Sequence, residues 1–134
     1  MFVELKTASQ KRFPVWENVV LIQAKNEEKA FEQAERHGRA EEGDDGGTFE
    51  WRESPARWVF AGVRKLTECD LVSVSFASGT ELTYTEFEVD SRDDVKRLAS
   101  SKPVKAMLND VYRNVEAASN TDNSESRTAR RKRA

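Results

Sequence analysis

Val15-Trp16-Glu17-Asn18-Val19-Val20-Leu21-Ile22-Gln23-Ala24-Lys25, followed by Asn26-Glu27-Glu28-Lys29-Ala30-Phe31-Glu32-Gln33-Ala34-Glu35-Arg36-His37-Gly38, is the stretch that decides the fold class. The run Val19-Val20-Leu21-Ile22 is apolar on both parities and rich in β-branched residues. It predicts a strand over residues 15–25, placed centrally in a sheet. Asn26 then fits a helix N-cap, and Glu27 and Glu28 fall in the first turn, where the helix dipole favours negative charge. Ala30, Phe31, Ala34 and His37 recur at helical spacing, with Gly38 as the expected stop. A strand feeding directly into a helix excludes an all-β or an all-helical chain.

Working outward, Phe2 to Thr7 is a short candidate first strand. Residues 39–47 read as an acidic, glycine-rich loop. Phe49 and Trp51 alternate with Glu50 and Arg52 as a strand does, and Ser54-Pro55 signals a turn. Residues 57–67 form a further candidate strand. Val72, Val74 and Phe76 alternate with serines, and Gly79 marks a tight connection into a strand over residues 80–89. There Leu82 and Tyr84 share one parity while Phe87 and Val89 take the other, which predicts a bulge or bend near Thr85. Ser91-Arg92-Asp93-Asp94 opens a short helix as a capping-box variant. After Pro103, the stripe Val104, Met107, Leu108, Val111, Tyr112 and Val115 predicts a last amphipathic helix. The expected core is Trp16, Val20, Ile22, Phe31, Trp58, Phe60, Val63 and Leu66.

The predicted fold is therefore α+β. A mostly antiparallel sheet of about five or six strands has a helix inserted after the second strand and two helices at its C-terminal end. Residues 1–116 form the single domain, and residues 117–134, apolar only in alanine, form a disordered basic tail. The chain is 37% hydrophobic and 34% charged, wetter than an average domain, in which about 45–50% is apolar with glycine counted. Three Trp, seven Phe and two Tyr still supply bulk for one core. No run of apolar residues is long enough to span a bilayer. Met1 to Arg12 lacks the apolar stretch of a secretory signal. With one Cys and one His there is no disulfide and no Cys/His zinc set. The expectation is a soluble cytoplasmic protein with no cofactor and no metal.

Residues 15–84 resemble the bacterial family described as a domain of unknown function, number 4288. The likeness rests on Glu17-Asn18-Val19-Val20-Leu21-Ile22-Gln23-Ala24 and Glu27-Glu28-Lys29-Ala30-Phe31-Glu32-Gln33-Ala34. It continues through Trp58-Val59-Phe60-Ala61-Gly62-Val63, Leu66 and Gly79-Thr80-Glu81-Leu82. Phe2-Val3-Glu4-Leu5 departs from the aromatic-rich first strand of the family, and the segment from Pro103 lies outside its pattern. The resemblance implies an α+β fold and carries no activity and no catalytic residue.

Candidate chemistry is sparse. His37 reads as a helix-end histidine and Cys69 as a packed residue at a strand end. Glu41, Glu42, Asp44 and Asp45 miss the alternation that a calcium loop needs. Glu4-Leu5-Lys6 has too little chain before it for a nuclease metal site. Glu17 and Glu81 belong to the family-like segments without being needed for packing, and either pair with arginines or line a groove. Trp51, flanked by charge, is the aromatic best placed to anchor a partner. The function expected from these absences is a non-enzymatic protein-binding or scaffold domain, with Trp51, Glu17 and Glu81 as candidate contacts. Its partner is an unidentified protein or a second copy in a homodimer.

Two further readings stand beside it. Arg127, Arg130, Arg131, Lys132 and Arg133 leave the tail at +3 against −5 for residues 1–116. A plain solubilising tail is the favoured reading of that segment, and the alternative is a nucleic-acid-associated accessory protein binding weakly and without sequence preference through it. The other is a carboxylate-based enzyme, which requires Glu17 and Glu81 to converge in one pocket.

Overall fold

The computed structural model describes residues 1–70 and 75–108 in full, and the backbone of residues 111–115. Its strands are β1 (Phe2–Leu5), β2 (Phe13–Leu21), β3 (Glu50–Trp51), β4 (Ser54–Val59), β5 (Thr80–Val89), β6 (Val104–Leu108) and β7 (Val111–Val115). Helix α1 (Glu27–Ala40) follows β2, and α2 (Arg92–Ala99) follows β5. Six strands form one antiparallel sheet and the two-residue β3 extends its edge, in the order β3-β4-β1-β2-β5-β6-β7.

The long β2–β5 pair organises the sheet, running from Phe13 opposite Val89 to Leu21 opposite Thr80. Its register slips between Val19 and Val20, which face Thr83 and Glu81, so the extra residue is Leu82. The parity switch in β5 is thus a bulge, three residues before the expected Thr85.

Antiparallel pairing puts opposed side chains on one face. Phe2, Val15 and Phe87 share a face with Phe13, Val89 and Ala106. Val95 and Leu98 of α2 complete that cluster with Val104. This core differs from the expected one. Of the eight residues anticipated, Phe31 is exposed and the other seven are only half-buried. The reason is geometric: the central run of β2 lies in a part of the sheet that α2 does not reach. Phe13 and Val15, at the other end of the strand, meet α2 instead.

Both helices start as the sequence predicts. The Asn26 side chain accepts from the Lys29 N–H at 2.9 Å, and Ser91 Oγ accepts from the Asp94 N–H at 3.0 Å. Ser91 Oγ also donates to the Asp94 carboxylate, so aspartate serves where the capping box prefers glutamate. Gly38, however, does not end α1, which continues to Ala40. A β-carbon at residue 38 would lie 2.2 Å from the Phe60 ring. The glycine is there to let that ring approach the helix axis.

Three further expectations change. Ser54-Pro55 begins β4 rather than turning, and the turn falls two residues earlier, at Arg52-Glu53. The strand expected over residues 57–67 ends at Val59, near Gly62 with φ 147°. The stripe from Pro103 is not a helix but the hairpin β6–β7, leaving one C-terminal helix instead of two. Val104 and Ala106 are buried with Lys105 exposed between them, a period-two pattern hidden within the helical one. The strand expected around Val72 and Val74 lies outside the described residues, and Phe76 is exposed in irregular backbone.

The β3–β4 connection holds Arg52 and Glu53 at φ 49° and 63°. This is the two-residue hairpin geometry in which both positions favour Asn or Gly. Glu53→Gly therefore raises the free energy of unfolding, by about 1 kcal/mol. A denaturation midpoint that fails to rise in E53G would show that the turn is not strained.

Candidate docking face

The sheet face opposite α2 carries the three tryptophans. Trp16 stands opposite Glu86, Trp58 opposite Val3, and Trp51 opposite Ser54. The Trp16 ring lies 5.3 Å from Trp51 and 4.7 Å from Trp58, both edge-to-face, and Phe49 stacks on Trp58 at 5.4 Å. Such offset geometries align ring edges with ring faces and contribute roughly 0.5–1.5 kcal/mol per pair beyond burial. Trp51 is consequently half-buried and packed against Trp16, with the Arg52 guanidinium 5.8 Å from its ring.

A charged rim borders this cluster. Glu88, opposite Pro14 and Met107, accepts from Arg52 at 2.9 Å and pairs with Arg12 at 3.2 Å. Its side chain is only 13% exposed, so two cations balance one poorly hydrated carboxylate.

Farther along β5 the same face is open. Tyr84 stands opposite Asn18 and is 55% exposed, and Leu82 at the bulge is 50% exposed. Asn18 Nδ2 donates to Glu81 at 2.8 Å, which turns that carboxylate toward the tryptophan side. Glu86 is exposed on this face, next to Trp16. The result is a strip of Leu82 and Tyr84 bracketed by Glu81 and Glu86.

Glu17 points the other way. It faces Thr85 and pairs with Arg64 on the α2 side of the sheet. Glu17 and Glu81 therefore occupy opposite faces and share no pocket, which removes the geometry a joint carboxylate mechanism needs. Arg127, Arg130, Arg131, Lys132 and Arg133 lie outside the described residues, as does the whole segment expected to be a tail.

The acidic loop is tied to the body. Asp44 bonds Lys6 and accepts from the Gly47 N–H at 2.9 Å, and Glu42 accepts from the Phe60 N–H at 2.8 Å. The Lys6 contact, then the Gly47 N–H, holds the Asp44 carboxyl below its ordinary pKa. No group of three or more His, Cys, Asp or Glu side chains arranged to hold a metal occurs among the described residues. His37 lines a shallow depression of about 260 Å³ with Ile22, Gln33, Arg36, Ser78 and Gly79. Cys69 is exposed rather than packed, with its sulfur 3.6 Å from the Thr67 carbonyl. No described helix is long and apolar enough to cross a membrane.

The Met1 ammonium donates to the Trp16 carbonyl at 3.0 Å, and its pKa is lowered by burial, an effect that Glu17 partly opposes. Together with the Trp16 N–H to Met1 carbonyl bond at 2.9 Å, this fixes the start of β1 beside the tryptophan cluster.

The fold and this face define a small α+β sheet protein in which one face is a helix-covered core and the other is aromatic and acidic. The family model of the domain of unknown function DUF4288 matches residues 1–83, and the chain belongs to that family. The match takes in β1, which precedes residues 15–84 of the sequence resemblance and reads as a poor fit to the family's first strand, and it stops within β5. Helix α2 and the β6–β7 hairpin lie beyond it. No curated protein matches the chain, and no solved structure does.

The exposed strip went unnoticed in the sequence because Leu82 and Tyr84 look like ordinary inward residues of an alternating strand. The signal that distinguishes them is the parity switch itself: once Phe87 and Val89 take the core face, Tyr84 must take the other.

Proposed function

We propose that the protein is a non-catalytic binding domain of the cytoplasm that docks a basic segment of a partner protein on the open strip of β5. The observation that carries this reading is the pairing of half-exposed Leu82 and Tyr84 with the carboxylates of Glu81 and Glu86 on one rigid strand. Isolated exposed apolar residues need no explanation. Here two large ones adjoin a three-tryptophan cluster, and aromatic residues at such sites are the usual anchors of interfaces. The acids select cationic partners and speed their encounter, since complementary charge acts mainly on association and specificity. Separation of Glu17 from Glu81 across the sheet supports a binding role over carboxylate catalysis.

The test compares the wild-type chain with the double variant Tyr84→Ala, Glu86→Lys in native extract, each with and without nuclease treatment. Both side chains are exposed, so the variant should keep the wild-type melting temperature. Under this reading it loses the proteins that the wild type retains. Retention of the same proteins by the variant would refute the strip as the docking site. Recovery that vanishes with nuclease in both forms would support the tail-mediated nucleic-acid reading in its place.

A further inference from the structure

Resting on that reading of the β5 strip, we propose that the chain's own basic segment, residues 127–133, occupies the strip until a partner displaces it. Charge is the first argument. Residues 1–116 carry −5 and the residues from Ala117 onward carry +3. Among the described residues, neither Glu81 nor Glu86 has a cation within ion-pair distance, while Glu88 on the same face already has two.

Reach is the second argument. Strand β7 ends at Val115 opposite Val104, and Val89 faces Ala106, so the chain leaves the sheet about two residues past the end of β5. From there Glu86 is roughly five residues back along the strand and two strands across, on the order of 20 Å at ordinary sheet spacings. Eleven residues lie between Val115 and Arg127. Eleven residues can span at most about 40 Å, so the distance lies within reach. The basic segment is thus held near the strip at high effective concentration.

The third argument is chemical. This protein repeatedly places guanidinium groups over rings: Arg52 over Trp51, Arg39 over Phe60 and Arg92 over Phe2, all within 5.8 Å of the centroid. Tyr84 offers a half-exposed ring between two carboxylates, and residues 127–133 supply four arginines to meet it. Phe31 with Glu27 and Glu35 on α1 is another acidic aromatic surface among the described residues, but α1 begins beyond the far end of β2.

Zero-length carbodiimide coupling of the full chain tests the proposal, because Lys132 is the only lysine after Lys105. In a mixture of 14N- and 15N-labelled protein, mass spectrometry should find Lys132 joined to Glu86 or Glu81 within single chains. The yield should fall severalfold in 0.5 M salt. Links chiefly to Glu27, Glu35 or residues 41–45, or links only between differently labelled chains, would overturn self-docking. A parallel chain with Arg130→Glu and Arg131→Glu should recover severalfold more partner protein than wild type. Unchanged recovery would likewise overturn it. If the cross-link is absent while partner capture still depends on Tyr84 and Glu86, self-docking alone has failed. If capture is also indifferent to those residues, the docking strip has failed with it.

Discussion

Phe87→Ala lowers the free energy of unfolding by about 3–5 kcal/mol, whereas Phe31→Ala lowers it by under about 1 kcal/mol. Phe87 is 6% exposed and lies opposite Val15 in the cluster that α2 covers, so its loss removes a ring and leaves a cavity. Phe31 is 42% exposed on α1 and has little burial to lose. A domain of this size is stable by roughly 5–15 kcal/mol in total, so F87A consumes a large share of the margin. Urea unfolding of the two variants measures both numbers. Equal losses, or a larger loss in F31A, would contradict the placement of Phe87 in the core and of Phe31 at the surface.

Ala106→Asp is expected to cost more than about 3 kcal/mol and to leave the chain largely unfolded at 37 °C. Ala106 is 1% exposed in β6, directly opposite Val89, which is itself fully buried. A carboxylate there enters the apolar cluster of Val89, Val95, Leu98 and Val104 and must either ionise in it or take up a proton. Had residues 104–115 formed a helix with the stripe Val104, Met107, Leu108, Val111, Tyr112 and Val115 inward, residue 106 would face solvent. The same substitution would then be nearly neutral. Lys105→Asp is the matched control, since Lys105 is exposed on the other face of β6 and should change stability by less than about 0.5 kcal/mol. Circular dichroism and thermal melts of the two variants separate strand from helix at this position.

Much of the local structure was legible in the residues. Asn26 and Ser91 announced their helices because capping is a contact between a side chain and the amide three residues on, and needs no distant partner. The alternation of Phe49 with Trp51, and the parity switch in β5, likewise reported local backbone geometry. The hairpin after Pro103 was missed because Val104, Leu108, Val111 and Val115 satisfy a helical period and a strand period together. Asn109-Asp110, a dipeptide suited to a two-residue hairpin connection, was the signal that could have broken the tie. The bulge was placed within three residues, since parity reports that a slip occurs but not at which step.

What the sequence determined by itself is the α+β class, the position of α1 after β2, both helix starts and membership of a family with no assigned activity. Those follow from short-range contacts and from patterns that survive in one dimension. Only the tertiary structure decided which sheet face became the core, that residues 104–115 pair as strands, and that Glu17 and Glu81 part company across the sheet. Each of these depends on where α2 lands and on which strand edge remains for β6. The energy of burying an apolar face is the same for either face until a second element arrives to cover one of them. Helix α2 covers Phe13, Val15, Phe87 and Val89, and Tyr84 is left outside as a consequence.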